Sequence, residues 1–159
     1  MKSKFALLAL CCGIALPAAA ADIPCPDLAT ATQVAACPTE DELRYTFMGY
    51  CGDNARLYGK DAITCTSLEN YKKLKNIALW ETAGGEFQSY VSCELDTAVV
   101  KAAKPLRIAV DTVGKGGTLR RITCDYEHDI VFTQRTRAAC KVEGDGDCTG
   151  GKPCKAVCD

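Results

Sequence analysis

The chain has one histidine, His128, and one tryptophan, Trp80, in 159 residues. A single histidine excludes a multi-histidine zinc site and forces any Ser-His-Asp triad to be built on His128. No Gly-x-Ser-x-Gly elbow supplies a nucleophile, and there is no phosphate loop, dinucleotide fingerprint or zincin motif. Charge of one sign is also lacking: 19 basic residues stand against 20 acidic ones, which gives no support for nucleic acid or an anionic membrane as partner. Asn54, Asn70 and Asn76 all fail the Asn-x-Ser/Thr pattern, an absence that suits a bacterial exported protein.

What is abundant is cysteine, at 12 residues. The chain opens with Lys2 and Lys4, continues with the apolar run FALLALCCGIAL, and reaches Asp22 through Pro17 and Ala18 to Ala21. A basic start, a short apolar run and a small-residue exit predict a secretory signal peptide over residues 1–21, too short to span a bilayer. Cleavage near Ala21 removes Cys11, Cys12, Lys2 and Lys4. It leaves 17 of the 19 basic residues against all 20 acidic ones, a net charge of −3, and no segment for membrane insertion.

Ten cysteines then remain: Cys25, Cys37, Cys51, Cys65, Cys93, Cys124, Cys140, Cys148, Cys154 and Cys158. An even count in an exported chain predicts five disulfides. Zinc and redox catalysis are the competing readings, but Cys-x-x-Cys occurs nowhere among the ten. The tightest group is Cys140, Cys148, Cys154 and Cys158, a four-cysteine metal knot in outline, which an oxidising compartment disfavours. No metal or cofactor is expected. Connectivity stays open, since ten cysteines allow about 945 pairings by the counting rule that gives 105 for eight.

Along residues 22–76 the pattern is helical. Thr39-Glu40-Asp41-Glu42 is a capping box, Leu43 and Phe47 share a face, and Gly49 or Gly52 offers a stop, so a helix is predicted near 40–50. Thr66-Ser67-Leu68-Glu69 repeats the capping pattern ahead of Leu68, Tyr71 and Leu74 at helical spacing, with Lys72, Lys73 and Lys75 as a solvated face. Asp27 opens a further predicted helix over about 27–35. From Ile77 the pattern alternates, with glycine turns at Ala83-Gly84-Gly85 and Gly114-Lys115-Gly116-Gly117, predicting an antiparallel sheet over 77–142. Trp80 shares a strand face with Ala78 and is read mainly as core, with a binding surface as the alternative.

Val91 to Val100 (VSCELDTAVV) echoes Ile122 to Val131 (ITCDYEHDIV) position by position, which predicts two similar hairpins. Strand parity fixes the second: a three-residue loop, Glu127-His128-Asp129, pairs Tyr126 with Ile130 and Cys124 with Phe132 and keeps the apolar set on one face. His128 then tips a loop, where neither a hydrogen-bonding partner nor water exclusion equips it for catalysis. The first echo, by the same rule, pairs Leu95 with Val99 across Asp96-Thr97-Ala98.

The same pairing sets Arg121 opposite Arg135, with Arg137 two residues on. Like charges opposed across a ladder point to an anion or acidic partner or to charge protection of an edge. Arg121, Arg135, Arg137 and Trp80 are the candidate binding residues. No catalytic residue is assigned. Glu143-Gly144-Asp145-Gly146-Asp147 fails as a calcium loop, because Cys148 holds the glycine position and no acid follows until Asp159.

The whole predicts an α+β domain, disulfide-rich, with short N-terminal helices over 22–76, an antiparallel sheet of five or six strands over 77–142 and a cysteine-dense tail over 143–159. The expected function is a secreted or periplasmic binding module rather than an enzyme, with a protein, a glycan or an anionic ligand as partner. The alternatives are a protease inhibitor with its reactive loop around Lys115, or a small hydrolase acting on cell-wall or glycan material.

Overall fold

A computed structural model describes residues 20–159. The predicted leader lies outside the described residues except for Ala20 and Ala21. In chain order the elements are β1 (Ala21–Pro24), a 3-10 turn (Leu28–Thr30), β2 (Thr32–Gln33), α1 (Glu40–Cys51), α2 (Asn54–Leu57), α3 (Leu68–Lys75), β3 (Ile77–Glu81), β4 (Gln88–Ser92), α4 (Thr97–Ala102), β5 (Pro105–Val113), β6 (Leu119–Tyr126), β7 (Val131–Thr136), β8 (Cys140–Val142) and β9 (Lys155–Cys158). The strands form two antiparallel sheets, one of six strands ordered β2-β3-β4-β7-β6-β5 and one of three ordered β1-β9-β8. Among the described residues no helix is long and apolar enough to cross a membrane.

The tail is therefore not an irregular appendage, and the sheet region does not stop at residue 142. The end of the chain returns to pair with its beginning, Asp22 opposite Val157 and Ile23 opposite Ala156, which local periodicity could not show. The segment ahead of β9 also lines the free edge of β5. Ile108 donates its amide to the Gly146 carbonyl at 2.8 Å, and the Cys148 amide donates to Leu106 at 3.0 Å. Gly146 has φ +80°, and a Cβ there would sit 2.5 Å from the Ile108 carbonyl oxygen. Glycine is what lets the tail approach that closely.

The inner face of the large sheet carries Trp80, Val91, Ile108, Ile122, Cys124 and Phe132. These pack with Leu28 and Ala31 from the N-terminal turn, Val100 from α4, and Ala156 and Cys158 from the small sheet. The β6–β7 hairpin has the predicted register: Cys124 lies opposite Phe132, and the Tyr126 amide donates to Ile130 across the three-residue loop.

The matching hairpin at the first echo does not form. There the chain turns into α4, burying Val100 completely. The reversal at the second echo uses left-handed backbone at two successive residues, His128 (φ 62°) and Asp129 (φ 57°). Histidine and aspartate tolerate that region better than most side chains, whereas the equivalents in the first echo are Thr97 and Ala98.

Two helix expectations also change. The predicted helix over 27–35 is one 3-10 turn capped by Asp27, after which Thr32 and Gln33 pair with β3; β-branched Thr30 and Thr32 favour that outcome. The second cap falls on Ser67, one residue after Thr66, and accepts from the Asn70 amide at 3.1 Å. Leu74 points to solvent. The capping box at Thr39 forms as predicted, Glu42 accepting from the Thr39 amide at 2.7 Å, and α1 ends at Gly52.

All ten cysteines among the described residues are paired. Cys25–Cys124 ties the end of β1 to β6, Cys37–Cys93 ties the lead-in of α1 to the end of β4, and Cys51–Cys65 closes the helical part. Cys140–Cys158 crosses β8 and β9, and Cys148–Cys154 closes the tail loop.

Candidate functional site

The helical part is where the surface becomes concave. Helix α1 carries two stripes at helical spacing. Leu43, Phe47 and Tyr50 form one and meet Tyr71 of α3, with Phe47 edge-on to Tyr71 at a centroid distance of 5.4 Å and Tyr50 tilted against it at 5.7 Å. Glu42, Tyr45, Thr46 and Gly49 form the other and wall an open groove of about 1140 Å³, closed opposite by the Ala36–Pro38 segment and floored by Leu43, Tyr71 and Ile77. Tyr45 and Met48 stand 76% and 66% exposed on this helix, large apolar surface that folding leaves unburied. At Gly49, which lines the groove, an added Cβ would meet nothing within 4 Å, so the position faces open space.

Cations sit at one end of the groove. The Arg56 guanidinium carbon lies 4.0 Å from the centroid of the Tyr50 ring and the Lys75 ammonium 5.1 Å from it, within cation–π range. The Tyr50 hydroxyl donates to Asp61 at 3.1 Å, and burial followed by that carboxylate raises its pKa. Arg56 reaches Asp53 only at 3.8 Å. Its charge and that of Lys75 remain available to an incoming acid. Lys72, by contrast, is occupied, pairing with Glu40 at 2.7 Å and Glu69 at 3.3 Å.

The residues singled out by sequence are placed elsewhere. Arg121 lies opposite Arg135 on β7 as parity requires, but its other neighbour in register is Asp111 on β5, to which it is ion-paired at 3.1 Å. That carboxylate offsets the like-charge opposition. Arg135 is exposed on the side of β7 opposite the buried Phe132, Arg137 is exposed just past the end of that strand, and neither lines the groove. Trp80 is 3% exposed within the core cluster and offers a ligand no surface. Lys115 tips the β5–β6 hairpin between Gly114 and Gly116, both at positive φ.

His128 and Asp129 border a smaller cleft of about 260 Å³ between the loop ahead of β7 and the end of β4, where Tyr90 and Glu94 also line it. These two strands are bridged only at Gln88–Thr133. Asp145 and Asp147, the acids that superficially matched a calcium loop, are held by the Lys152 ammonium at 3.3 and 2.9 Å. Asp147 also accepts from the Thr149 amide and hydroxyl. The lysine hydrogen bond, followed by those from Thr149, lowers the Asp147 pKa far below its ordinary value.

Tyr45, Met48 and Arg56 escaped sequence reading, although a signal for the first two was present. Tyr45 and Met48 fall off the Leu43–Phe47–Tyr50 stripe, so α1 shows apolar residues on more than its packed face. Comparison of the chain with protein-family models, with curated proteins and with solved structures finds no match in any of the three.

Proposed function

We propose that the protein is an extracytoplasmic binding module whose α1–α3 groove takes an apolar, carboxylate-bearing segment of a partner protein. Export is supported by the disulfide count, since five bridges persist in an oxidising compartment and not in a reducing cytosol. The observation that carries the binding reading is the combination in one concave site of unburied Tyr45 and Met48, an apolar floor, and the cations Arg56 and Lys75. Aromatic, methionine and arginine side chains are those that dominate protein interfaces, and a cation at one end of an apolar groove fixes the register of an acidic segment. Arg121, Arg135 and Arg137, which do not line this groove, take a secondary place in this reading.

Selection of a random peptide library on the immobilised chain tests it, with Gly49→Trp and Arg56→Ala as the discriminating variants. Gly49→Trp fills open space on a helix, so the fold survives while the groove is obstructed. Peptides rich in apolar residues with at least one acid are expected to enrich on the wild type, to be lost on Gly49→Trp, and to lose their acidic preference on Arg56→Ala. Absence of enrichment, or peptides that bind Gly49→Trp equally, would refute the assignment.

A further inference from the structure

Two of the five disulfides lie side by side where the small sheet meets the large one. The β1–β9 register, with Pro24 opposite Lys155, runs on to set Cys25 opposite Cys154, and the Cys25 amide donates to the Cys154 carbonyl at 2.8 Å. Yet these cross-strand neighbours are not bonded to each other: Cys25 is joined to Cys124 on β6, and Cys154 to Cys148. The Sγ atoms of Cys25, Cys148 and Cys154 all lie within 4.8 Å of one another, and Cys124 adds a fourth sulfur bonded to Cys25.

Each of the four backbones is held by hydrogen bonds that do not involve sulfur. Cys25 and Cys154 continue the β1–β9 ladder, Cys148 donates to Leu106 of β5, and Cys124 is paired in register with Ile108 on one side and Phe132 on the other. Opening the two S–S bonds therefore leaves three thiols within 4.8 Å of one another, with the fourth, Cys124, next to Cys25. Cys124 and Cys148 are buried, while Cys25 and Cys154 are half-buried and give solvent a way in.

We propose that these four sulfurs form a redox-gated site for a thiophilic divalent cation such as Zn²⁺, stored as two disulfides when oxidised and binding the ion when reduced. In the reductive step each disulfide takes two electrons and two protons from a dithiol, which leaves as its own disulfide. The ion then displaces four thiol protons as four metal–sulfur bonds form. Four tetrahedral Zn–S bonds of about 2.3 Å set ligand sulfurs about 3.8 Å apart, comparable with the separations within 4.8 Å of Cys25, Cys148 and Cys154, and the site closes when Cys124 turns toward them. Ligand positions 25, 124, 148 and 154 have no zinc-motif spacing, because the fold and not the local sequence brings them together.

The test reduces the purified chain with a dithiol under anaerobic conditions, adds Zn²⁺, removes excess, and measures metal retained against a colorimetric chelator. Co²⁺ then replaces Zn²⁺ to read the visible bands of tetrahedral thiolate coordination. One tightly held ion per chain is expected in the wild type and in the Cys37→Ser/Cys93→Ser double variant, and none in Cys148→Ser/Cys154→Ser, whose oxidised fold keeps four bridges and is verified by circular dichroism. Retention undiminished in Cys148→Ser/Cys154→Ser would overturn the site, as would no retention in wild type, or loss instead in Cys140→Ser/Cys158→Ser.

Discussion

Residues 34–76 and the sheet body solve the burial problem in opposite ways. In the body, side chains from both sheets, α4 and the N-terminal turn meet in one cluster, and Phe132, Leu28, Ile108, Ile122, Val100 and Cys124 are fully enclosed. In residues 34–76 the buried hydrophobics are Leu43, Cys65 and Tyr71, while Val34, Tyr45, Met48, Tyr58, Ile63 and Leu74 are left exposed. A segment that buries so little apolar surface gains little from the hydrophobic effect, so its order depends on the Cys51–Cys65 and Cys37–Cys93 bridges and on helix caps. Most of the buried core lies in one region and most of the exposed large apolar surface in the other, the distribution expected if the proposed binding elements come from the less stable part of the fold.

The contrast is broken most forcefully from the body. Phe132→Ala deletes a fully buried ring packed edge-on to Tyr126, and a loss of about 3–5 kcal/mol is expected in chemical denaturation. If the body is the stabilising region, amide exchange should accelerate in the sheets and helices together. The next largest effect is local. Replacing both Cys51 and Cys65 with alanine removes a bridge spanning 14 residues, worth about 3 kcal/mol by loop-closure entropy. Exchange is expected to rise in α1 to α3 with protection retained in β6 and β7, and binding at the groove to weaken. Uniform loss of protection would show that the two regions unfold as one.

What could be read from the residues alone was whatever depended on near neighbours. The Thr39 box, the burial of Trp80 beside Ala78, the three-residue loop at His128 and the opposition of Arg121 to Arg135 each follow from spacing within one element or one hairpin. The echo failed because ten similar residues differ at the two positions that need left-handed backbone, where Thr97 and Ala98 replace His128 and Asp129. The rest is long-range. The pairing of β1 with β9 joins residues more than a hundred positions apart, and the sulfur cluster collects positions 25, 148 and 154, with 124 bonded to 25. The groove exists because the fold brings α1, the Ala36–Pro38 segment and α3 together, which no periodicity specifies, so Arg56 drew no attention and Lys75 read as a solvated face while the arginines of the sheet stood out.

A smaller perturbation sharpens the same comparison. Thr39→Ala removes the hydroxyl that accepts from the Glu42 amide and is expected to lower stability by about 1 kcal/mol. That change should appear as faster exchange in the first turn of α1 and leave the sheets untouched. Since Glu42 also lines the groove, weaker peptide capture is expected alongside, with Thr39→Ser restoring both.

The smallest effect distinguishes the regions by charge. Lys152 in the tail and Lys72 in the helical part each bridge two carboxylates, and in each fork the lysine pKa is raised by its acids. Asp147 and Asp145 are lowered in the folded chain, so their contribution is complete above the ordinary aspartate range and disappears as pH falls through and below about 4. Lys152→Gln should therefore melt slightly below the wild type at neutral pH, with the two melting temperatures converging as the solution is acidified toward pH 2. The groups are exposed, so the gap is small and shrinks with added salt. A gap that persists unchanged at low pH would mean that the lysine stem, and not its charge, holds the tail against β5.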